Sequence, residues 1–211
     1  MSKIGRKPVD ISGVSVNIQG QEVHYKGVKS AGLHLLPEPL IANVQDKKLF
    51  IVVDAQASIS PKQLRDVNRI WGLHHALLEN KIKGSVKEFE KKMKITGLGF
   101  KATVGSENSL KDIEKKGEKV IVVGNKNTPL TKGLVFDLGY SHYYYFKLPQ
   151  EITVDIDKTG QNLVIKGTDP VRVGLVASEI RQLRKPEVYK GTGIKEENEI
   201  IRRKAGKTKA G

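Results

Sequence analysis

Two parts of the chain alternate between apolar and polar residues, a pattern typical of strands that bury one face. Residues 14–18 and 23–25 alternate on either side of a turn at Gly20, which predicts a hairpin. Residues 40–44 and 49–53 alternate around a short polar turn and predict a second hairpin. The N-terminal half therefore begins as an antiparallel β structure.

A helical pattern follows the second hairpin. Ser60 fits the N-cap position, Pro61 the first helical position, and Gln63 the reciprocal position of a capping box. The spacing predicts a helix that ends near Gly84. The side chains that recur at helical spacing on one stripe are Leu64, Val67, Trp71, His74 and Leu78.

The C-terminal half repeats this plan. Residues 148–156 and 163–165 resemble the second hairpin, and a proline-started helix again follows at Pro170, with Asp169 as its cap and Pro186 as its stop. We infer an internal duplication. The apolar residues that would face the second sheet are Val173, Val176, Ile180 and Leu183.

The predicted fold is α+β, with two tandem similar domains, each a mostly antiparallel sheet covered by a helix, plus a basic C-terminal extension. We expect an N-terminal α/β domain over residues 1–82 and a C-terminal α/β domain over residues 83–185. The second domain carries an insertion around residues 105–133, an exposed excursion in which only Lys119–Val123 is typical of a strand. Residues 186–211 form the extension.

Charge changes this picture, because the 211 residues include 37 Lys and Arg against 23 Asp and Glu, a net charge of +14. Such a balance points to a polyanionic partner, either nucleic acid or an anionic membrane surface. The positive charge is concentrated in two segments. Lys81–Lys101 has seven Lys against two Glu, and the chain from Arg181 onward has ten Lys and Arg against four Glu. Apolar spacing fades in that tail. We therefore expect it to have no fold of its own and to take its shape from an anionic partner.

Several function classes are disfavoured. No apolar run approaches the roughly 20 residues that a membrane span needs, and Met1–Pro8 lacks the apolar core of a secretory signal. The chain has no cysteine, which excludes disulfides and thiolate metal sites.

The histidines do not form a catalytic or metal site. His74 and His75 point about 100° apart on a helix and cannot coordinate one metal ion together. No carboxylate is placed to complete a triad with Ser141-His142. We predict no catalytic residues, no metal and no cofactor, and hence no enzyme.

Two motifs have a structural and a functional interpretation. Gly97-Leu98-Gly99 has part of the pattern of a nucleotide-binding loop, but the alternation that follows indicates a strand, so we favour a tight bend or bulge. Tyr143–Phe146 has the aromatic content of a base-stacking platform. Because alternate side chains of a strand point to opposite faces, at least half of these rings would be core.

A series of motifs, in order along the chain, carries a resemblance to a known family. They are Ser2–Pro8, Trp71-Gly72, Gly97–Ala102, Leu138–His142 and, most specific of all, Arg184–Ile194 with Arg202–Lys207. Nearly end to end, the chain resembles the bacterial-type sixth protein of the large ribosomal subunit.

The resemblance implies two duplicated domains, no catalysis, and binding to large-subunit ribosomal RNA. In that family the protein lies at the base of the flexible stalk, near the sarcin–ricin region and beside the landing site of the translation factors. Neighbouring large-subunit proteins near the stalk base would be further partners, and no membrane is involved. The cytoplasmic ribosome is the expected location, and an organellar ribosome stays open because the insertion is much longer than the family's short hairpin turn.

The predicted RNA contacts combine the two basic segments with the matching N-terminal and C-terminal motifs. Tyr189 would stack on a base or sugar, and the glycines would let the backbone approach RNA closely. The candidate residues are Lys3, Arg6, Lys7, Lys81, Lys83, Lys94, Lys101, Arg184, Tyr189, Lys190, Gly191, Gly193, Lys195, Arg202, Arg203, Lys204, Lys207 and Lys209.

Rival functions use the same cations. A free-standing RNA chaperone or assembly factor is the first alternative, and it would not travel stoichiometrically with a ribosomal subunit. An enzyme acting on nucleic acid would need a metal or base constellation that the sequence does not show. A membrane-surface binder is disfavoured because the basic segments lack an amphipathic apolar face.

Overall fold

The computed structural model describes residues 2–54, 60, 63–106, 110, 111, 113, 115, 118–124 and 132–206. These residues form two compact units. The first unit contains the described residues up to Glu88 together with Thr168–Pro170. The second contains Phe89–Gly167 and the described residues from Val171 onward. The three-part division expected from the sequence stays a prediction.

In the first unit, the described residues form two small antiparallel sheets and a helix. One sheet has the order β2–β3–β4, and the other has the order β1–β6–β5. The elements are β1 (Val9–Asp10), β2 (Ser15–Gln19), β3 (Glu22–Lys26), β4 (Ala31–Leu35), β5 (Leu40–Gln45), β6 (Lys48–Val53) and α1 (Gln63–Val86).

Both predicted hairpins are confirmed, as the pairs β2–β3 and β5–β6. The turn of the second hairpin has positive φ at Asp46 and Lys47, which suits a two-residue connection between antiparallel strands. Alternation in β5 and β6 places Leu40, Ala42 and Ile51 in the core. Strand β4, which was not predicted from the sequence, adds a third strand to the first sheet.

Helix α1 starts as predicted but buries a different stripe. The Ser60 backbone N–H donates to Gln63 Oε1 at 3.0 Å and the Gln63 N–H donates to Ser60 Oγ at 3.4 Å, which confirms the capping box. Pro61 lies outside the described residues. The prediction that Leu64 and His74 face the core was wrong, because Leu64 is exposed and His75 takes the buried position instead. The buried side chains of the helix include Val67, Trp71, His75, Leu78 and Ile82.

His75 is buried because its polar ring has a partner inside the unit. Its Nε2 lies 2.8 Å from the Lys7 carbonyl, to which it donates, and Trp71 Nε1 donates to the Ile51 carbonyl at 2.9 Å. These bonds attach the N-terminal segment and strand β6 to one side of α1. Gly84 lies within the last turn, and the helix runs on to Val86.

The second unit also contains two four-stranded sheets and a helix among its described residues. One sheet has the order β12–β13–β7–β14, and the other has the order β8–β10–β11–β9, in which only the β11–β9 pair is parallel. The elements are β7 (Phe89–Thr96), β8 (Lys101–Gly105), β9 (Lys119–Val123), β10 (Gly133–Asp137), β11 (His142–Lys147), β12 (Ile152–Ile156), β13 (Asn162–Gly167), α2 (Pro170–Leu183) and β14 (Gly193–Glu196).

The predicted repetition and fold class are confirmed, with one refinement. The order β12–β13–α2 repeats β5–β6–α1, and the predicted core face of α2 is buried at Val173, Val176, Ile180 and Leu183. The described residues of each unit nevertheless form two sheets where the sequence suggested one. In each unit a helix follows an antiparallel hairpin, α1 after β5–β6 and α2 after β12–β13.

The Gly97-Leu98-Gly99 segment is a tight turn between β7 and β8, as predicted. Gly97 and Gly99 have φ values of 158° and 77°, and the Phe100 N–H donates to the Gly97 carbonyl at 3.4 Å. A side chain at Gly97 would collide with the Phe100 ring. The chain therefore turns here without the strand-to-helix passage of a nucleotide-binding loop.

The aromatic run of β11 is largely core. Phe146 packs in the main cluster of the unit and Tyr144 lies against it, whereas Tyr145 packs on the opposite face with Leu110 and Val135. Both faces of β11 are therefore covered, which leaves no flat array of rings for stacking bases. The insertion is also less exposed than predicted, because Leu110 is buried, although its predicted strand is confirmed as β9.

The expectation that the tail has no fold of its own was wrong for Glu187–Lys204. Strand β14 pairs with β7, and Ile194 is completely buried in the core. The Lys204 N–H donates to the Val188 carbonyl at 3.0 Å, so the chain returns on itself after the strand. A short alternation in Gly193–Glu196 is easily overlooked among lysines and glycines, and sheet pairing provides the stability that its composition lacks.

Candidate nucleic-acid interface

The edge of the β12–β13–β7–β14 sheet presents lysines on the face turned away from the core. In β7, Met93 and Ile95 are buried, so Lys94 between them points outward. Lys195 of β14 lies directly opposite Lys94 in the antiparallel register. Side chains opposite each other on one face of such a pair lie close together, with Cβ atoms about 5 Å apart. Two like charges held side by side favour a bound anion.

The chain after β14 folds over this edge and forms a groove of about 610 Å³. Lys94, Lys195 and Arg203 are the cations that line it, Gly191 and Thr96 contribute to its wall, and Glu197 and Glu199 of the tail also line it. The structure therefore brings together four of the predicted residues from three separate parts of the sequence. None of the three cations has a carboxylate within ion-pair distance in the described part of the chain.

Three of the four tail glutamates pair with cations of β7 or α2. Glu196 pairs with Lys91 at 2.7 Å, Glu197 with Lys92 at 3.7 Å, and Glu199 with Arg181 at 2.5 Å. Glu187 accepts a hydrogen bond from Thr192 at 3.1 Å. Three of the glutamates therefore have cationic partners outside the chain that follows Pro186. The exposed tail cations without an ion pair among the described residues are Lys190, Arg202, Arg203 and Lys204.

The Arg181–Glu199 pair is the best-formed ion pair of this edge. Hydrogen bonds to Arg181 hold the pKa of the Glu199 carboxyl below its ordinary value, and the same bonds raise the pKa of Arg181. Both residues were missed by the sequence analysis. A glutamate in a basic tail has no sequence signal that distinguishes an internal partner from a solvated charge.

Arg184, a predicted RNA contact, is engaged inside the unit. Its guanidinium carbon lies 4.6 Å from the ring centroids of both Phe100 and Tyr140, and Nη1 donates to the Leu138 carbonyl. It therefore joins the Gly97–Phe100 turn to the turn before β11. A guanidinium between two rings is well suited to this role because it is planar and keeps donors at its edge.

The tail glycines also serve internal packing. Gly193 has a φ of 136°, and a Cβ there would lie 2.7 Å from the Lys185 carbonyl oxygen. Gly191 has a φ of 74°, and its Cβ would meet the Arg203 guanidinium at 3.1 Å. Both glycines therefore permit a close approach within the chain, and their contact with RNA stays a prediction. Tyr189 is 53% exposed, so its ring has an open side.

The remaining predicted contacts are not among the residues that line the groove. Lys101 is exposed at the start of β8. In the first unit, Lys3, Arg6 and Lys7 are exposed on the N-terminal segment, and Lys83 pairs with Glu79 at 2.6 Å. Lys207 and Lys209 lie outside the described residues.

Lys81 belongs to a basic cluster on the first unit. Its Nζ lies 3.1 Å from the Leu33 carbonyl and 3.2 Å from His34 Nδ1, and His34 Nε2 lies 3.1 Å from His74 Nδ1. Burial lowers the pKa of His34 to about 4, with the charges of Lys81 and His74 acting in the same direction. The pKa of His74 is lowered by burial and by Lys81. Lys81 therefore has neutral histidine partners near pH 7.

No group of three His, Asp or Glu side chains among the described residues has a geometry that could hold a metal ion. No helix among those residues is long and apolar enough to cross a membrane. A basic patch on one edge of a folded domain is the electrostatic footprint of a nucleic-acid-binding protein, and this is the class toward which the fold and surface point.

Comparison with known proteins gives the family. Residues 116–197 match the family model described as Ribosomal protein L6. The chain is 36% identical over 209 residues to the large ribosomal subunit protein uL6 of Methylacidiphilum infernorum, covering 99% of this chain and 98% of the relative. It is 35% identical over 211 residues to the uL6 protein of Methylorubrum extorquens (99% and 100%) and 36% identical over 207 residues to that of Bifidobacterium animalis (98% and 97%).

The chain belongs to the uL6 family of large ribosomal subunit proteins. It is therefore a structural constituent of the large subunit of the cytoplasmic, bacterial-type ribosome and not an enzyme. The resemblance that the motifs predicted is confirmed.

Proposed function

We propose that the chain binds large-subunit ribosomal RNA through the cationic edge formed by β7, β14 and the folded tail. The observation that carries the proposal is the placement of charge at this edge: three of the four tail glutamates pair with β7 or α2, and Lys94, Lys195 and Arg203, which have no ion pair among the described residues, converge on one groove. Lysine and arginine that neutralise phosphates release condensed counterions, and this release is the main sequence-independent source of affinity for nucleic acid.

The proposed place of binding is the base of the stalk, near the sarcin–ricin region, where the protein would support the translation-factor site. Neighbouring large-subunit proteins at the stalk base are the proposed protein partners. Family membership supports this placement, and the sheet edge supports only the manner of binding. A rigid sheet edge reads the shape and phosphates of folded RNA, because A-form helices hide the base edges in a deep groove.

The proposed contacts fall into two groups. Exposed cations and the open ring of Tyr189 would touch RNA directly, whereas Arg184, Gly191 and Gly193 would shape the protein surface that carries them. The direct contacts proposed on the second unit are Lys94, Lys101, Tyr189, Lys190, Lys195, Arg202, Arg203, Lys204, Lys207 and Lys209. Lys3, Arg6, Lys7, Lys81 and Lys83 are proposed as further contacts from the first unit.

Crosslinking in the intact large subunit tests this placement. Photoreactive groups at Lys195 and Arg203 should attach to ribosomal RNA, and sequencing of the attached RNA should return the sarcin–ricin region or its neighbourhood. A photoreactive group at Lys48, on a hairpin of the first unit, is the matched control. Crosslinks from the groove to RNA elsewhere in the subunit would contradict the placement. If the protein did not sediment with the large subunit after a moderate salt wash, it would instead be a free-standing chaperone.

A further inference from the structure

Arg181 and Glu199 form a two-pronged contact between helix α2 and the tail. Arg181 Nε donates to Glu199 Oε2 at 2.9 Å and Nη2 donates to Oε1 at 2.5 Å. The two side chains are only 32% and 26% exposed. Paired guanidinium–carboxylate bonds of this kind are among the strongest and most directional polar contacts in proteins.

The same carboxylate also closes a turn in the tail. The Glu196 N–H donates to Glu199 Oε2 at 3.4 Å, and the Glu199 N–H donates to the Glu196 carbonyl at 3.1 Å. The Glu197 N–H donates to the Lys92 carbonyl at 3.0 Å. Glu199 thus lies between the end of strand β14 and the segment that carries Arg202, Arg203 and Lys204. Its contacts fix the direction in which that segment leaves the sheet.

We propose that Arg181 and Glu199 are positioning residues that hold the tail cations in place before RNA binds. The inference rests on the proposed function of the groove, and it reverses the order expected from the sequence, in which RNA gives the tail its shape. A flexible segment loses conformational entropy when it is ordered on a ligand. A segment that is already ordered avoids that loss at the moment of binding and so binds more tightly.

Two matched glutamate variants separate positioning from simple charge. Glu199→Gln and Glu197→Gln each remove one negative charge from the tail, two residues apart. Charge alone predicts that both variants bind RNA more tightly. Glu197 pairs only loosely with Lys92, at 3.7 Å with both side chains more than half exposed, so its variant should bind as tightly as wild type or more tightly. Glu199→Gln should bind about tenfold more weakly, because the cations are released from their arrangement.

The salt dependence of affinity gives a readout that loss of stability would not change. The slope of log affinity against log salt reflects the number of phosphate contacts, at about 0.7 per contact. If two tail cations lose their places, the slope of Glu199→Gln should fall by about 1.4 relative to wild type. The exchange Arg181→Glu with Glu199→Arg should recover part of both the affinity and the slope. Equal or tighter binding by Glu199→Gln, or an exchange that recovers nothing, would overturn the proposal.

Hydrogen exchange on the free wild-type protein tests the inference independently of RNA. The amides of Glu197 and Lys204 should be protected without RNA, and Glu199→Gln should remove the protection of Lys204 while that of Ile165 in β13 stays. Unprotected tail amides in the free protein would refute the positioning role even if RNA binding were normal. Protected amides with no RNA affinity would instead refute the proposed function alone.

Discussion

Individual arginines near the end of helix α2 have internal partners although they belong to the most basic part of the chain. Arg181 pairs with Glu199, and Arg184 lies between the rings of Phe100 and Tyr140. In both cases the guanidinium uses its planar shape, which a lysine ammonium lacks. These residues therefore contribute to the surface that carries the exposed cations, and their substitution should affect stability as well as binding.

Arg184→Lys should lower the free energy of unfolding by about 1–3 kcal/mol, because the ammonium keeps the charge but loses the stacking and the directed bond to Leu138. Urea unfolding followed by circular dichroism measures the change. Lys185→Gln, at the exposed neighbouring position, is the control and should stay within about 0.5 kcal/mol of wild type. An unchanged free energy of unfolding in Arg184→Lys would mean that the stacked arrangement contributes little to stability.

His34 makes the stability of the first unit depend on pH. Its pKa is lowered to about 4 in the folded protein, first by burial and then by Lys81 and His74, whereas an unfolded histidine titrates near 6.5. Between these values the unfolded chain binds the extra proton, so the free energy of unfolding should fall as the pH is lowered from 7 toward 4. Urea unfolding at several pH values should show this slope in wild type.

The variant His34→Gln should flatten that slope, and His24→Gln should leave it unchanged. His24 lies on the outer face of the neighbouring strand, 3.2 Å from Glu22, and serves as the control. An unchanged slope in His34→Gln would assign the pH dependence to other groups.

Strand β14 determines how the tail is attached to the second unit. It pairs with β7 through four residue positions, and Ile194 lies in the core beside the side chains of α2. A short edge strand with one buried isoleucine is a small element. Its removal nevertheless leaves one edge of β7 unpaired, while β13 remains on the other edge, and opens the core of the unit.

Two truncations separate the contribution of strand β14 to stability from the contribution of the following cations to RNA binding. A chain ending at Pro186 loses β14 and should destabilise the unit by several kcal/mol, since emptying a buried isoleucine site alone costs about 2–5 kcal/mol. A chain ending at Ile201 keeps β14 and the Arg181–Glu199 pair. It should unfold within about 1 kcal/mol of wild type while binding RNA more weakly. Thermal and urea unfolding give the first comparison, and filter binding gives the second.

The two truncations would behave alike only if the tail were a disordered appendage. Equal stability of the Pro186 and Ile201 chains would therefore contradict the role of β14 in the fold.

At the scale of the whole molecule, the periodicity of the sequence predicted much of the fold. The β2–β3 and β5–β6 hairpins, the capping box of α1 and the core face of α2 all follow from local spacing and turn residues, which act over a few positions. The repeated order of hairpin and helix predicted the duplication. Motifs such as Arg184–Ile194 predicted the family.

What the sequence did not reveal depends on long-range partners. His75 is buried in place of His74 because the Lys7 carbonyl, far away in the chain, accepts its hydrogen bond. Strand β14 forms because β7 offers a free edge, and Glu199 is an internal residue because Arg181 faces it. Such pairs combine segments that no short window contains. Counting charges therefore located the basic tail but did not show which of its glutamates pair with cations of β7 and α2.

The central claim is that the sheet edge formed by β7, β14 and the tail binds ribosomal RNA through Lys94, Lys195 and Arg203, the cations that line its groove. Filter binding to a large-subunit RNA fragment with the sarcin–ricin region, titrated with salt, tests it most directly. The triple variant Lys94→Gln, Lys195→Gln and Arg203→Gln should lower the slope of log affinity against log salt by about 2, at about 0.7 per lost contact. The matched variant Lys26→Gln, Lys47→Gln and Lys48→Gln, which removes the same charge from the first unit, should leave the slope nearly unchanged. Equal losses of slope in the two triple variants would show that binding follows net charge rather than this edge, and would contradict the account.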